Sequence, residues 1–215
     1  MGVSLKKGQG VSLKKGRDDL SEVIIGLGWD LAKPKGFFGS IFGKSGDYDL
    51  DAICFLLGSD GKVRQLGTVV DGQWTLKNGD VVFYNSMQHP TGAVTLTGDN
   101  RTGAGDGDDE QIIVRLNLLP PEYHRLVFVT CIYQGIQKKQ SFGGVENAFI
   151  RAVDSKTGIE LARYDISNTS SFSTCHSITF AELVREDRGW KFQAIGTPHS
   201  SDKFVDILKD YLPIS

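Results

Sequence analysis

The sequence holds little of the chemistry that marks an enzyme or a soft-metal site. Its 215 residues include only three cysteines and four histidines. Cys54, Cys131 and Cys175 lie far apart among apolar or β-branched neighbours, and none forms a Cys-x-x-Cys pair. That pattern predicts buried free thiols rather than redox or zinc chemistry. His89, His124, His176 and His199 are scattered without metal-ligand spacing, and His89 before Pro90 reads as a turn residue. No His-Glu-x-x-His or Gly-x-Ser-x-Gly occurs, so no recognisable catalytic motif is available. No apolar run approaches the roughly 20 residues of a membrane-spanning helix. The N-terminus lacks the apolar stretch of a secretory signal, and Lys6 stands where the myristoylation pattern wants Ser or Thr. These absences predict a cytoplasmic chain. A formal net charge of -2 supplies no global attraction to nucleic acid, so no nucleic-acid partner is expected.

What is present points to β structure. A chain of this size buries about 70% of its unfolded surface, so a sizeable core is available. Short apolar or alternating segments recur between Gly, Pro, Asn, Asp and Ser clusters: "EVIIGLGW", "DLDAICFLL", "DVVFY", "GAVTLT", "QIIVRLN", "RLVFVTCIY", "ENAFIRAVD", "GIELARYD", "SITFAELVRE" and "GWKFQAIG". Such spacing predicts an all-β sandwich or barrel, and the lack of interleaved helical periodicity disfavours a βαβ architecture. The echo "VSLKKG" at residues 3–8 and 11–16 predicts two short edge strands whose lysines deter aggregation. At the other end Phe204, Val205, Leu208, Tyr211 and Leu212 recur at helical spacing before Pro213. A short amphipathic helix is expected there, N-capped by Ser201 or Asp202, with its apolar stripe on the sandwich. The predicted organisation is a sandwich domain over 1–198 and this helix within 199–215.

The densest functional signal is "GDNRTGAGDGDDEQ", residues 98–111. A solvated acidic loop is the ordinary reading of such a run. Calcium is the sharper one, because Ca²⁺ takes six to eight oxygen ligands from carboxylates, amides and backbone carbonyls. Asp99, Asp108, Asp109 and Glu110 supply charge and Asn100 a neutral oxygen, while Gly103, Gly105 and Gly107 allow a tight curl of carbonyls. A phosphate-cradling role is disfavoured by the repulsion between a phosphate and these carboxylates. An EF-hand fails on spacing, since Ala104 falls where its glycine belongs. Asp49 and Asp51 lie two apart on an expected strand and so share a face. Asp30 and Asn85 close two other strands, where they could converge on the same end or simply serve turns; Asp80 is read as a turn residue. A metal-dependent hydrolase built from Asp and Asn alone is the enzymatic alternative.

With these motifs together, the sequence resembles the TerD family of tellurium-resistance and stress-response proteins, whose relatives include a cAMP-binding protein. The resemblance runs from "VSLKKGQGVSLKKG" through "VIIGLGWD", "DLDAICFLL", "VVFYN", "GDNRTGAGDGDDEQ", "NAFIRAVD" and "IELARYDIS" to "GWKFQAIG". It implies a β-sandwich of two mainly antiparallel sheets with acidic calcium sites, two ions, and no established enzymatic reaction. By motif, the implied ligands are Asp30, Asp49, Asp51, Asp99, Asn100, Asp108, Asp109 and Glu110, with Asn85 a weaker transfer and Gly103 and Gly105 contributing carbonyls. Other tellurite-resistance or stress-response proteins are implied partners, and a sensor or enzyme acting on phosphoesters or nucleotides is the alternative. The segment "KPKGFFGSIFGKSG" departs from the family pattern. If it springs from a filled calcium site, it presents Phe37, Phe38 and Phe42 to a membrane at the inner face or to a partner. Tellurite chemistry also suggests reducing thiols, a role that buried cysteines serve poorly.

Overall fold

Two hydrophobic patterns build two different kinds of sheet. The computed structural model describes residues 2–13, 20–31, 48–97, 107–166 and 170–213. Its strands are β1 (Val3–Leu5), β2 (Gly10–Ser12), β3 (Glu22–Leu31), β4 (Leu50–Leu57), β5 (Val69–Val70), β6 (Gln73–Trp74) and β7 (Val81–Val82). They continue with β8 (Val94–Thr97), β9 (Glu110–Arg115), β10 (Arg125–Ile132), β11 (Val145–Asp154), β12 (Glu160–Asp165), β13 (Ser177–Glu186) and β14 (Gly189–His199). A single helical turn, α1 (Gly135–Lys138), follows β10, and α2 (Phe204–Leu208) lies near the C-terminus. The first large sheet has the order β1-β12-β11-β3-β9-β8 and the second β2-β14-β13-β10-β4-β7. β1 pairs parallel with β12, and the other pairings in both sheets are antiparallel.

In β9 buried and half-buried residues alternate, as in a strand with one face on the core and one towards solvent. β4 and β10 are buried nearly throughout, because both of their faces are covered. Leu50, Ala52, Cys54 and Leu56 face the interior between the sheets, with Phe180, Phe192 and Ile150. Ile53, Phe55 and Leu57 face outward into a second cluster with Val127, Val129, Ile207 and Leu208. The C-terminal segment packs on this outer cluster, and the Phe55 ring lies tilted at 6.4 Å from Phe204 and 5.6 Å from Tyr211. Burying Ile207 and Leu208 contributes roughly 1.5–3 kcal/mol each.

The N-cap differs from expectation: it is Lys203, with no side-chain cap bond. Ser201 Oγ instead accepts the Lys203 N–H, and the Asp202 carboxylate accepts the N–H of Ile136 at 3.0 Å. Asp202 is thus spent on joining α1 to the start of α2. The "VSLKKG" echo does form edge strands, one on each sheet: β1 borders β12 and β2 borders β14.

Asp80 serves the loop before it, but from a buried position. Its Oδ2 accepts the N–H groups of Arg64 at 2.7 Å and Gln65 at 2.8 Å, and its Oδ1 accepts the Tyr123 hydroxyl at 2.8 Å. His89, in its own turn, places Nε2 3.3 Å from Asp80 Oδ1. Among the described residues no helix is long and apolar enough to cross a membrane.

Candidate metal centre

Strand register gathers the acidic residues at one pole of the sandwich. Leu27 of β3 lies opposite Glu110 of β9, Asp30 opposite Glu146 of β11, and Asp51 of β4 opposite Cys131 of β10. The end of β8, Thr97, pairs with Gln111, so β8 ends and β9 begins at this same pole. Asp99, Asn100, Gly103 and Gly105 lie outside the described residues, as do Phe37, Phe38 and Phe42.

Each described carboxylate has a distinct seat. Asp109 is held at both ends: its N–H donates to Leu27 O at 2.8 Å, and its Oδ2 accepts the Trp29 N–H at 2.9 Å. Burial raises its pKa, and the neighbouring charges of Asp30 and Asp108 add to that rise against the Trp29 hydrogen bond. Asp30 is exposed and accepts Asn147 Nδ2 at 2.7 Å, Asn147 standing at φ 52° in a bulge of β11.

Asp108 folds back onto the outer face of the first sheet. Its Oδ1 accepts Arg151 Nε at 2.7 Å and its Oδ2 accepts Gln111 Nε2 at 3.1 Å. It fits because Gly26 has no side chain: a Cβ there would stand 2.2 Å from Asp108 Cγ. Gly28 makes similar room for the Phe149 ring, which a Cβ would meet at 2.3 Å. Arg151 lies 43 residues in sequence from the carboxylate it balances. Glu110 points the other way, into the sandwich, where its Oε2 accepts the Ala52 N–H at 2.5 Å and so joins β9 of one sheet to β4 of the other.

Asp49 and Asp51 stand at the start of β4. The Asp49 carbonyl accepts the Tyr133 N–H at 2.8 Å. Asp51 shares the outer face with Cys131, and its charge adds to burial in raising the pKa of Tyr84. Asn85 is exposed in the turn closed by the Phe83–Ser86 pair, at the same pole. Among the described residues, no group of three or more His, Cys, Asp or Glu side chains is close enough to hold a metal ion.

The donor set suits a hard cation all the same. It is made of oxygens, and like charges crowd around Asp109. Arg151 balances Asp108, Asn147 donates to Asp30, and the Trp29 N–H donates to Asp109. Asp30 and Asp109 thus offer oxygens of the kind calcium takes, though the described carboxylates alone do not form a complete ligand set.

A family model described as the TerD domain matches residues 1–211. The chain belongs to the TerD family. It is 58% identical to tellurium resistance protein TerX of Serratia marcescens over 99% of this chain and 100% of the relative. It is 42% identical to tellurium resistance protein TerD of the same organism, over 91% and 90% of the two chains. General stress protein 16U of Bacillus subtilis is 40% identical over 98% of this chain and 97% of its own. The fold is shared with a crystal structure of a homologue of telluride resistance protein from Streptomyces coelicolor A3(2), with TM-score 0.56, 19% identity and coverage of 86% and 94%. This TerD-domain chain is thus a member of a tellurium-resistance and stress-response family.

Its thiols are poorly placed for reducing an oxyanion. All three cysteines are free and buried. Burial pushes the Cys131 thiol up to about 12 and Cys175 to about 11, and pushes Cys54 higher still. Thiolate is the reactive form, so native protein at pH 8 is expected to resist iodoacetamide and to label at all three positions once unfolded. Mass spectrometry after brief labelling checks this, and rapid native labelling would contradict it.

Proposed function

We propose that this TerD-domain protein is a calcium-binding, non-enzymatic interaction module of the stress response, working in the cytoplasm with other resistance or stress-response proteins. The observation that carries the reading is the seat of Asp109 on the Trp29 N–H, next in the chain to Asp30, where burial and the charges of Asp30 and Asp108 raise its pKa. A divalent cation relieves that repulsion. Asp30 and Asp109 are the described residues proposed to meet the ion, completed by Asp99, Asn100 and the carbonyls of Gly103 and Gly105. Asp49 is the candidate for a second ion. Asp108 and Glu110 hold the pole in shape through Arg151 and Ala52. The three free cysteines support a reducing compartment. By the same reading, calcium orders the base of segment 32–47 and so controls presentation of Phe37, Phe38 and Phe42 to a membrane or partner.

Calorimetric titration of EDTA-stripped protein tests the site and reads the number of ions. Heat of binding is expected from the wild type, and Asp30→Asn combined with Asp109→Asn is expected to lose the share due to that ion, leaving at most the heat of a second ion at Asp49. Calcium at 100 times Kd is expected to add about 2.7 kcal/mol of stability. For a chain of this size that corresponds to a Tm gain of about 5–11 °C. No heat and no Tm change with millimolar calcium would remove the reading.

A further inference from the structure

The same pole carries a second concavity on the outer face of the β4–β10 sheet, where α1 and the start of α2 fold over it. It is a groove of about 270 Å³ lined by Asp51, Tyr84, Cys131, Tyr133, Asp202 and Phe204, among others. The volume falls just below the roughly 300–1,000 Å³ that holds drug-sized ligands, which favours a compact occupant.

We propose that this groove binds a small organic cation with a primary or quaternary ammonium head. Two kinds of wall meet here. Tyr84 and Tyr133 stand nearly perpendicular, at 81° with centroids 6.4 Å apart, and Phe204 adds a third ring. A corner of aromatic rings attracts a diffuse cation through the ring quadrupoles. Tyr133 already acts this way, since Lys138 Nζ lies 5.1 Å from its centroid. Asp51 and Asp202 bring two carboxylates to the same groove, so charge and rings complement one ligand chemistry. A divalent metal suits it less, because aromatic walls offer no hard oxygen shell. Main-chain bonds keep the site in shape: the Asp202 carboxylate is fixed by the Ile136 N–H, and Tyr133 N–H is fixed by Asp49 O. Lys203 is an exposed residue of the groove lining and, like Lys138 over Tyr133, brings positive charge that competes with the ligand.

The proposal needs no bound calcium, although Asp51 is shared with the implied ligand set, and it is tested in EDTA with choline as the probe. Binding is followed by calorimetry and by NMR shifts of the groove. Choline is expected to bind, and its neutral analogue with carbon in place of nitrogen to bind at least about tenfold more weakly. Tyr84→Leu with Asp51→Asn is expected to weaken choline by about tenfold or more, with native Tm checked alongside. Lys203→Gln, an exposed change that leaves the fold alone, is expected to tighten it. Equal binding of the neutral analogue, or no choline binding to either wild type or Lys203→Gln, overturns the proposal. So does capture of a lysine-bearing peptide without any response to choline, which would make the groove a protein-docking site instead.

Discussion

Asp80→Ala is expected to destabilise the protein by roughly 3–5 kcal/mol, the range for removing one partner of a buried charged network. Asp80 and His89 are both almost wholly buried. The substitution strands the buried Tyr123 hydroxyl, at about 1–3 kcal/mol, and also removes the acceptor of the part-buried Arg64 and Gln65 N–H groups. The fall in Tm should be roughly 6–20 °C, readable by calorimetry. Tyr123→Phe removes one donor and should cost only about 1 kcal/mol. The effect also has a pH signature. Burial raises the Asp80 pKa, but the hydrogen bonds from His89, Tyr123, Gln65 and Arg64 outweigh it, and the net shift is below the ordinary carboxylate value. A lowered folded-state pKa gives stability that is present above the unfolded value, about pH 4, and is lost as pH falls through the folded value. The gap between wild type and Asp80→Ala should therefore be constant from pH 6 to 8 and close on acidification. A gap that widened in acid would refute this account.

Gly26→Val is the second large effect, expected at roughly 2–4 kcal/mol. Valine is a good strand residue, so propensity alone predicts a gain. Sterics decide otherwise: the new Cβ would meet the Asp108 carboxylate at 2.2–2.3 Å. Asp108 must leave its seat, breaking its bonds to Arg151 and Gln111, and the overpacking adds about 1–3 kcal/mol. The clash has a specific remedy. In an Asp108→Ala background the valine finds the space vacated, so the double variant should be no less stable than Asp108→Ala alone. Additive losses measured by denaturant unfolding would show that Gly26 matters for some other reason.

How far the sequence carried this structure depended on the range of the signal. Alternation located the long strands, and the unbroken apolar runs of β4 and β10 reflect burial on both faces. The β5–β6 hairpin was missed although Asp71 and Gly72, at φ 49° and 76°, form its turn. Its strands have two residues each, too few to show a period. The helix cap was misplaced because Ser201 and Asp202 both have cap chemistry, yet Asp202 is drawn to Ile136 across the fold. At the candidate site, strand-end positions were enough to bring Asp30, Asp51, Asn85 and the 108–110 carboxylates to one pole. Their separate seats were not legible. Whether a carboxylate faces an arginine, a main-chain N–H or a groove depends on residues far away in sequence, as Asp108 with Arg151 and Glu110 with Ala52 show.

The twin N-terminal strands carry one more implication. A single stretch of about a dozen residues clasps both layers from the same border, covering β12 with its first strand and β14 with its second. Peeling it away would bare two rows of main-chain donors and acceptors at once, each a template for a neighbouring chain. The opening residues thus act as a paired selvedge, and the solubility of the whole fold is tied to a segment that anchors in the core through little more than Leu5 and Leu13.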